Sequence, residues 1–117
     1  MDFLAAMESI GVDSQTVLRR FSGMEMLWKK FVFRFPEDPT YSSLEQAVLK
    51  QEDEEIERQA HALKGVAANL GFDQHANQIV QLVRQRPEGY RDMIKQEWEQ
   101  LKAVYQKVLD AINCCKQ

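Results

Sequence analysis

Apolar residues recur along most of the chain at intervals of three and four positions, the spacing that places side chains on one face of an α-helix. No segment shows the sustained alternation of apolar and polar residues that is typical of β-strands. We therefore predict an all-α fold, an up-down antiparallel four-helix bundle with short additional helices at its N-terminal end.

The N-terminal part of the chain is expected to form short helices. One begins near Phe3 and ends before Gly11, and either Asp13 or Ser14 can cap the helix that follows. A richer apolar run extends from Met24 to Phe35 and predicts a core helix. Its expected buried face comprises Met24, Leu27, Trp28, Phe31 and Phe35.

The aromatic side chain Phe33 falls off that face, so a contribution to partner docking is considered for it. The Pro36-Glu-Asp-Pro39 segment ends the helix, because proline has no backbone N–H and restricts the residue before it. Ser42 or Ser43 can then cap another helix that continues through Leu49.

Three further helices are predicted in the second half of the chain. Asp53 can cap a helix from Glu54 to about Leu70, which Gly71 ends. The next helix spans Phe72 to Arg84, and the last runs from Glu88 to about Asn113. Since the connections are short, neighbouring helices are expected to run antiparallel.

Size and charge narrow the classes of function. A chain of 117 residues suits a single domain over 1–117. A net charge of −3 without a basic stripe argues against nucleic acid or an anionic membrane as partner. No signal peptide or membrane-spanning run is evident, so a cytoplasmic monomer is expected. Cys114 and Cys115 are adjacent and lack the spacing of a disulfide or metal pair.

The Glu54–Leu70 helix contains the residue of greatest chemical interest, His61. The apolar seam of this helix consists of Ile56, Ala60, Leu63, Ala67 and Leu70. At about 100° of rotation per residue, His61 points roughly 140° away from the middle of the seam, so its imidazole is expected to face solvent. The spacing alone does not distinguish a reactive histidine from an ordinary surface one.

Small and basic neighbours surround that histidine. Gly65 lies one turn after His61, and glycine inside a helix costs about 1 kcal/mol relative to alanine, which suggests that space is needed there. Ala68 places another small side chain on the next turn, and Lys64 lies within side-chain reach of the imidazole. An ammonium group at Lys64 could screen a negatively charged phosphoryl group.

The stretch Ala-His-Ala-Leu-Lys-Gly-Val-Ala-Ala-Asn-Leu-Gly at 60–71 closely resembles the phosphohistidine motif of histidine-containing phosphotransfer (HPt) domains. The resemblance extends over about 10–112. It implies a four-helix bundle whose exposed histidine accepts a phosphoryl group from a receiver-domain aspartate and passes it to another receiver. His61 would then be the acceptor and donor, Lys64 would stabilise the phosphoryl group, and Gly65 would leave room for the receiver.

The resemblance also implies which partners and cofactors are involved. Receiver domains of response regulators or hybrid histidine kinases would dock on Gly65 and Ala68, with Glu54, Glu57 and Arg58 as further candidates for the docking surface. No cofactor or metal is expected on this chain, because magnesium would be bound by the receiver.

The chain departs from the family pattern at a few positions. Ala62 stands where the family often has Thr or Ser, and Gln74 and His75 open the next helix where apolar residues are common. We expect His75 to be a half-buried or surface histidine rather than a second acceptor or a metal ligand.

Two alternatives to a phosphoryl carrier are considered. A non-catalytic adaptor would bind receivers through the same face without accepting phosphate. An autophosphorylating histidine kinase would need a nucleotide-binding domain, whose glycine-rich motifs are missing from the sequence. The initial methionine favours a freestanding protein over an excised module of a hybrid kinase.

Overall fold

The computed structural model describes residues 1–72 and 75–116, and its regular structure within these ranges is entirely helical. The all-α prediction is therefore confirmed. In chain order the α-helices are α1 (Phe3–Ser9), α2 (Ser14–Arg20), α3 (Glu25–Arg34), α4 (Thr40–Lys50), α5 (Asp53–Leu70), α6 (His75–Gln85) and α7 (Tyr90–Cys115). A single 3-10 turn, Phe35–Glu37, follows α3.

The last four helices form the bundle. α5 packs between α4 and α6, and α7 closes the ring by packing against α6 and α4. The connections are two to four residues long, which leaves room only for antiparallel neighbours. α4 and α5 each end at a residue with a left-handed backbone conformation, Gln51 at φ 56° and Gly71 at φ 93°. The bundle thus has the up-down order that the sequence predicts.

The N-terminal helices pack on one end of this bundle. With 26 residues, α7 is about 39 Å long, and α1 packs against it. α2 and α3 pack against α5. The indole of Trp28 is fully buried, and its Nε1 donates a hydrogen bond to the Leu70 carbonyl at 3.2 Å. The buried side chains of all seven α-helices form one continuous cluster.

Gly71 lies where the N-terminal segment meets the end of α5. A β-carbon at this position would come within 2.6 Å of Val17 Cγ2 and 2.9 Å of Val12 Cγ1. Its positive φ adds a second reason for glycine, since other residues rarely adopt that conformation. Gly71 therefore both ends α5 and admits the close approach of the N-terminal segment.

An aromatic cluster joins α4 to α7 near the 3-10 turn. The Tyr41 ring stacks on Tyr105 with a centroid separation of 3.7 Å and on Trp98 at 5.2 Å. Phe35 adds a further contact to Tyr105 at 5.6 Å. Burial, followed by the negative charges of Glu45 and Glu99 and the Tyr105 phenol, raises the pKa of Tyr41 to about 12.

The first turn of α5 differs from the predicted cap. Glu52 is the N-cap residue and Asp53 is the first helical residue. The Asp53 carboxylate instead accepts a hydrogen bond from the Tyr90 hydroxyl at 2.9 Å and forms an ion pair with Arg91 at 2.6 Å. Arg86 Nη2 lies 3.6 Å away from the same carboxylate. Asp53 therefore joins the start of α5 to the start of α7.

The predicted buried face of α3 is partly wrong. Trp28, Val32 and Phe35 are buried, whereas Met24 is 56% exposed and Phe31 is 42% exposed. The reason is tertiary: α3 packs against α2 and α5, and its aromatic rings meet Phe3 of α1. Its inward face is therefore set by neighbours that periodicity does not reveal. Phe33 is packed edge-on against Phe3, with ring centroids 6.3 Å apart, and its candidate docking role loses support.

The predicted start of α4 is also wrong. The helix begins at Thr40, so Ser42 and Ser43 lie inside its first turn rather than at its cap. The cause is the Asp38 carboxylate, which accepts a hydrogen bond from the Thr40 amide at 2.8 Å. Phe72, where the next helix was predicted to begin, is not helical; α6 is described from His75 onward, and Gln74 lies outside the described residues.

Candidate functional site

The exposed face of α5 follows from its buried seam. The buried residues of α5 are those that the sequence predicts, Ile56, Ala60, Leu63, Ala67 and Leu70. His61 lies midway along the helix and is exposed, as expected from its angular position relative to this seam. Core packing of α5 therefore holds the imidazole on a rigid element facing water.

The imidazole of His61 is not engaged by the chain itself. In the ranges 1–72 and 75–116, no hydrogen bond or ion pair reaches its ring nitrogens. A neutral imidazole has one nitrogen lone pair, which is the group that attacks phosphorus in nucleophilic catalysis. The ring therefore needs no rearrangement of this protein to become accessible.

The two flanks of His61 differ. Glu57 and Lys64, seven residues apart, lie on the same side of α5. Glu57 Oε1 accepts a hydrogen bond from Arg84 Nε at 2.6 Å, so this side faces α6 and is bridged by an ion pair. Lys64 is half-buried there, and no carboxylate of the described ranges pairs with its ammonium group. Its charge is therefore available next to the imidazole.

On the other flank lies Gly65. A β-carbon at this position would meet no heavy atom within 4 Å, so no contact within the described chain requires glycine. Gly65 opens into a groove of about 490 Å³ between α5 and the α3 end, whose walls include Phe31, Arg34, Asp38 and Asn69. The space that the sequence predicts beside His61 is present in the structure.

Ala68 lies at the C-terminal edge of this face and is half-buried. Its carbonyl oxygen accepts a hydrogen bond from Arg20 Nη1 at 2.5 Å. The same carbonyl also accepts the backbone hydrogen bond of Gly71 at 3.1 Å, so the arginine adds a second donor and a positive charge at the C-terminal end of α5. α2 therefore bounds the exposed face at this end.

The remaining candidates for docking occupy the first half of α5. Glu54 is exposed in the first turn. Arg58 pairs with Glu55 and lies on the side that faces α4. The structure thus places Glu54, Glu57 and Arg58 around His61, but the latter two are engaged on opposite sides of the helix. Their role in docking stays a prediction.

Sequence reasoning missed the groove residues Phe31, Arg34 and Asn69. In the run Phe-Val-Phe-Arg-Phe at 31–35, aromatic residues occupy alternate positions, so the spacing permits more than one choice of inward face. In the structure Val32 is buried and Phe31 is partly exposed, and the packing of α3 against α2 and α5 decides between these two faces.

The other candidate reactive groups are engaged or peripheral. His75 Nδ1 lies 3.0 Å from Glu97 Oε2, and both side chains are one-fifth exposed. Cys114 is exposed, and burial raises the pKa of the Cys115 thiol. Among the residues described, no group of three or more His, Cys, Asp and Glu side chains could hold a metal ion. No described helix is long and apolar enough to cross a membrane.

Comparison with known proteins gives one family assignment. The family model for the Hpt domain matches residues 28–111, which include His61, the whole of α4, α5 and α6, and most of α7. Neither the curated proteins nor the solved structures include a significant match to this chain. The matched segment covers more than half of the 117 residues and implies a phosphotransfer role in two-component signalling. The chain belongs to the Hpt domain family.

Proposed function

We propose that His61 is the phosphoryl carrier of a phosphorelay, accepting a phosphoryl group from the aspartate of one receiver domain and passing it to another. The observation that carries this proposal is the exposed imidazole on α5, which none of the described residues engages, with Lys64 on one side and open space at Gly65 on the other. Membership of the Hpt family supports the same role.

The chemistry is a reversible exchange between two phosphoryl carriers. The unprotonated ring nitrogen of His61 attacks the phosphorus of the aspartyl phosphate, and the bond from phosphorus to the carboxylate oxygen breaks. The electron pair of that bond leaves with the aspartate, which becomes a carboxylate. The second ring nitrogen keeps its proton throughout. The reverse reaction delivers the phosphoryl group to the next receiver.

This chain contributes position and charge to the reaction. The transition state of phosphoryl transfer is loose, so catalysis depends mainly on alignment and on stabilising negative charge. α5 supplies the alignment because its seam is buried along its whole length. Lys64 supplies one positive charge near the transferred group. Magnesium is proposed to be held by the receiver.

The test is transfer of labelled phosphate from a phosphorylated receiver domain in the presence of magnesium. The wild-type protein should acquire phosphate that is labile in acid and stable in alkali, whereas His61→Gln should stay at background. The matched control is His75→Gln, which alters the other histidine of the chain and should accept label as the wild type does. Labelled protein should then lose its phosphate to a fresh receiver.

Two outcomes would contradict the proposal. Labelling of His61→Gln would place the acceptor elsewhere. Binding of a receiver without any labelling of the wild type would make the protein a non-catalytic adaptor. ATP alone should not label the protein, since no nucleotide-binding motif is evident. The cytoplasmic location and the monomeric state stay predictions, which fractionation and size-exclusion chromatography would test.

A further inference from the structure

The groove beside Gly65 differs from the opposite flank of His61 in being open and partly apolar. On the α6 side, the Arg84–Glu57 ion pair bridges the helices. On the α3 side, the groove reaches Gly65, which lies four residues and about 6 Å along the helix axis from His61. Among the described residues, the α6 flank is therefore bridged by an ion pair, whereas the α3 flank offers an open groove.

Phe31 provides the apolar element of this groove. It is 42% exposed, whereas Trp28 and Val32 of the same helix are buried. Its ring is held from behind by Phe21, with ring centroids 5.9 Å apart. An aromatic side chain that is both rigid and partly exposed is the typical anchor of a protein interface.

Arg34 provides the charged element. It is exposed, and within 1–72 and 75–116 no carboxylate forms an ion pair with its guanidinium. Asp38, which also lines the groove, is engaged in holding the Thr40 amide at the start of α4. Lys30 is exposed one turn before Arg34 on α3. The α3 rim of the groove is therefore basic, in contrast to the glutamate-rich first turns of α5.

Glycine at position 65 gives the groove its access to the acceptor. Nothing inside the described chain occupies the space that a side chain would take. Helix propensity favours alanine at such a position, so the free protein is less stable with glycine there. The space is accordingly of use to a bound molecule and not to the fold.

We infer that Phe31 and Arg34 determine receiver recognition, the receiver docking over the α3 side of His61 with an apolar contact on Phe31 and an acidic rim against Arg34. This inference rests on the proposed function and names the part of the surface that its partner uses. Charge complementarity selects the partner, because a face that bears an aspartyl phosphate is anionic and meets the basic rim of the groove.

The test compares two groove variants with two matched controls on α7, which lies diagonally across the bundle from α5. Phe31→Ala is matched by Met93→Ala, since Met93 is 41% exposed. Arg34→Glu is matched by Lys95→Glu, which reverses another exposed charge. The rate of transfer from a phosphorylated receiver is measured over a range of receiver concentrations and at two salt concentrations.

Each groove variant should raise the receiver concentration needed for half-maximal transfer about tenfold or more, with little change in the maximal rate. The effect of Arg34→Glu should shrink at high salt, as screening weakens a charge contact at an interface rim. Met93→Ala and Lys95→Glu should behave as wild type. Because Arg34 is exposed, its variant tests the inference even if Phe31→Ala perturbs folding.

Phosphoramidate, which phosphorylates imidazole without a receiver, separates failure of this inference from failure of the proposed function. It should label the wild type and both groove variants equally. If groove variants and controls show the same concentration dependence while the wild type accepts phosphate normally, the docking inference is wrong and the carrier function stands. If no phosphorylated receiver labels the wild type, the proposed function itself fails.

Discussion

Polar side chains in the first turn of α5 and in its middle have opposite environments. At the first turn, Asp53 is only 12% exposed and is held by Tyr90 and Arg91 from the start of α7. Two turns later, His61 is exposed and has no partner among the residues described. The polar group that positions the helix is paired within the chain, whereas the group proposed to react is left for another molecule.

The largest expected effect comes from removing the paired group. Asp53→Ala should lower the free energy of unfolding by about 2 kcal/mol, because the Tyr90 hydroxyl and the Arg91 guanidinium lose their acceptor. His61→Ala should change it by less than about 0.5 kcal/mol, as is usual for an unpaired surface residue. Urea denaturation of both variants makes the measurement. Equal losses of unfolding free energy in the two variants would show that the first turn of α5 and its middle do not differ in this way.

A smaller effect of opposite sign is expected at Gly65. Gly65→Ala should raise the free energy of unfolding by about 0.5 to 1 kcal/mol, since alanine is the better helix former and its methyl group meets nothing in the free protein. The same variant should slow transfer from a receiver by narrowing the space beside His61.

The control for Gly65→Ala is Ala62→Gly, which makes the reverse change at another exposed position of α5 and should destabilise the protein by a similar amount. Thermal denaturation and the transfer assay provide the two measurements. A destabilised Gly65→Ala protein would show that the glycine serves the fold after all.

The last expected effect appears only at high pH and concerns the Tyr41 phenol, which the aromatic cluster partly buries. Burial raises the pKa of Tyr41 to about 12, from 10 for an ordinary tyrosine. The unfolded chain therefore loses the phenol proton at lower pH than the folded one. The contribution of the protonated phenol to the free energy of unfolding is complete below pH 10 and is lost as pH rises towards 12. Unfolding measured from pH 9 to 12 should show this decline, and Tyr41→Phe should lessen it. Absorbance at 295 nm that reports Tyr41 ionising near pH 10 would contradict it.

Much of the bundle was predictable because α5 to α7 have long, regular stripes. The seam of α5 set the direction of His61, and Gly71 marked the end of that helix. The same periodicity failed at α3, where a short helix rich in aromatic residues offers more than one face and its neighbours choose between Phe31 and Val32.

Contacts between distant parts of the chain were also beyond sequence reasoning. Aspartate is a common N-cap residue, yet the Asp53 carboxylate binds Tyr90 and Arg91, which lie 37 and 38 positions further along the chain. The ion pair from Arg84 to Glu57 and the hydrogen bond from Arg20 to Ala68 likewise join separate helices. Local pattern was enough to select His61, Lys64 and Gly65 as candidates, whereas the shape of their surroundings could be seen only in the packed structure.

The close approach at Gly71 bears on how the domain can be excised or fused to other proteins. The family match begins at residue 28, inside α3, so both Val12 and Val17, which pack over Gly71, precede it. The match also stops at residue 111, before Ile112 and Cys115, which are buried. A fragment trimmed to those limits would present an uncovered apolar surface at one end of the bundle and invite aggregation. The transferable unit for protein engineering is therefore larger than the segment that matches the family, and includes α1, α2 and the last turn of α7.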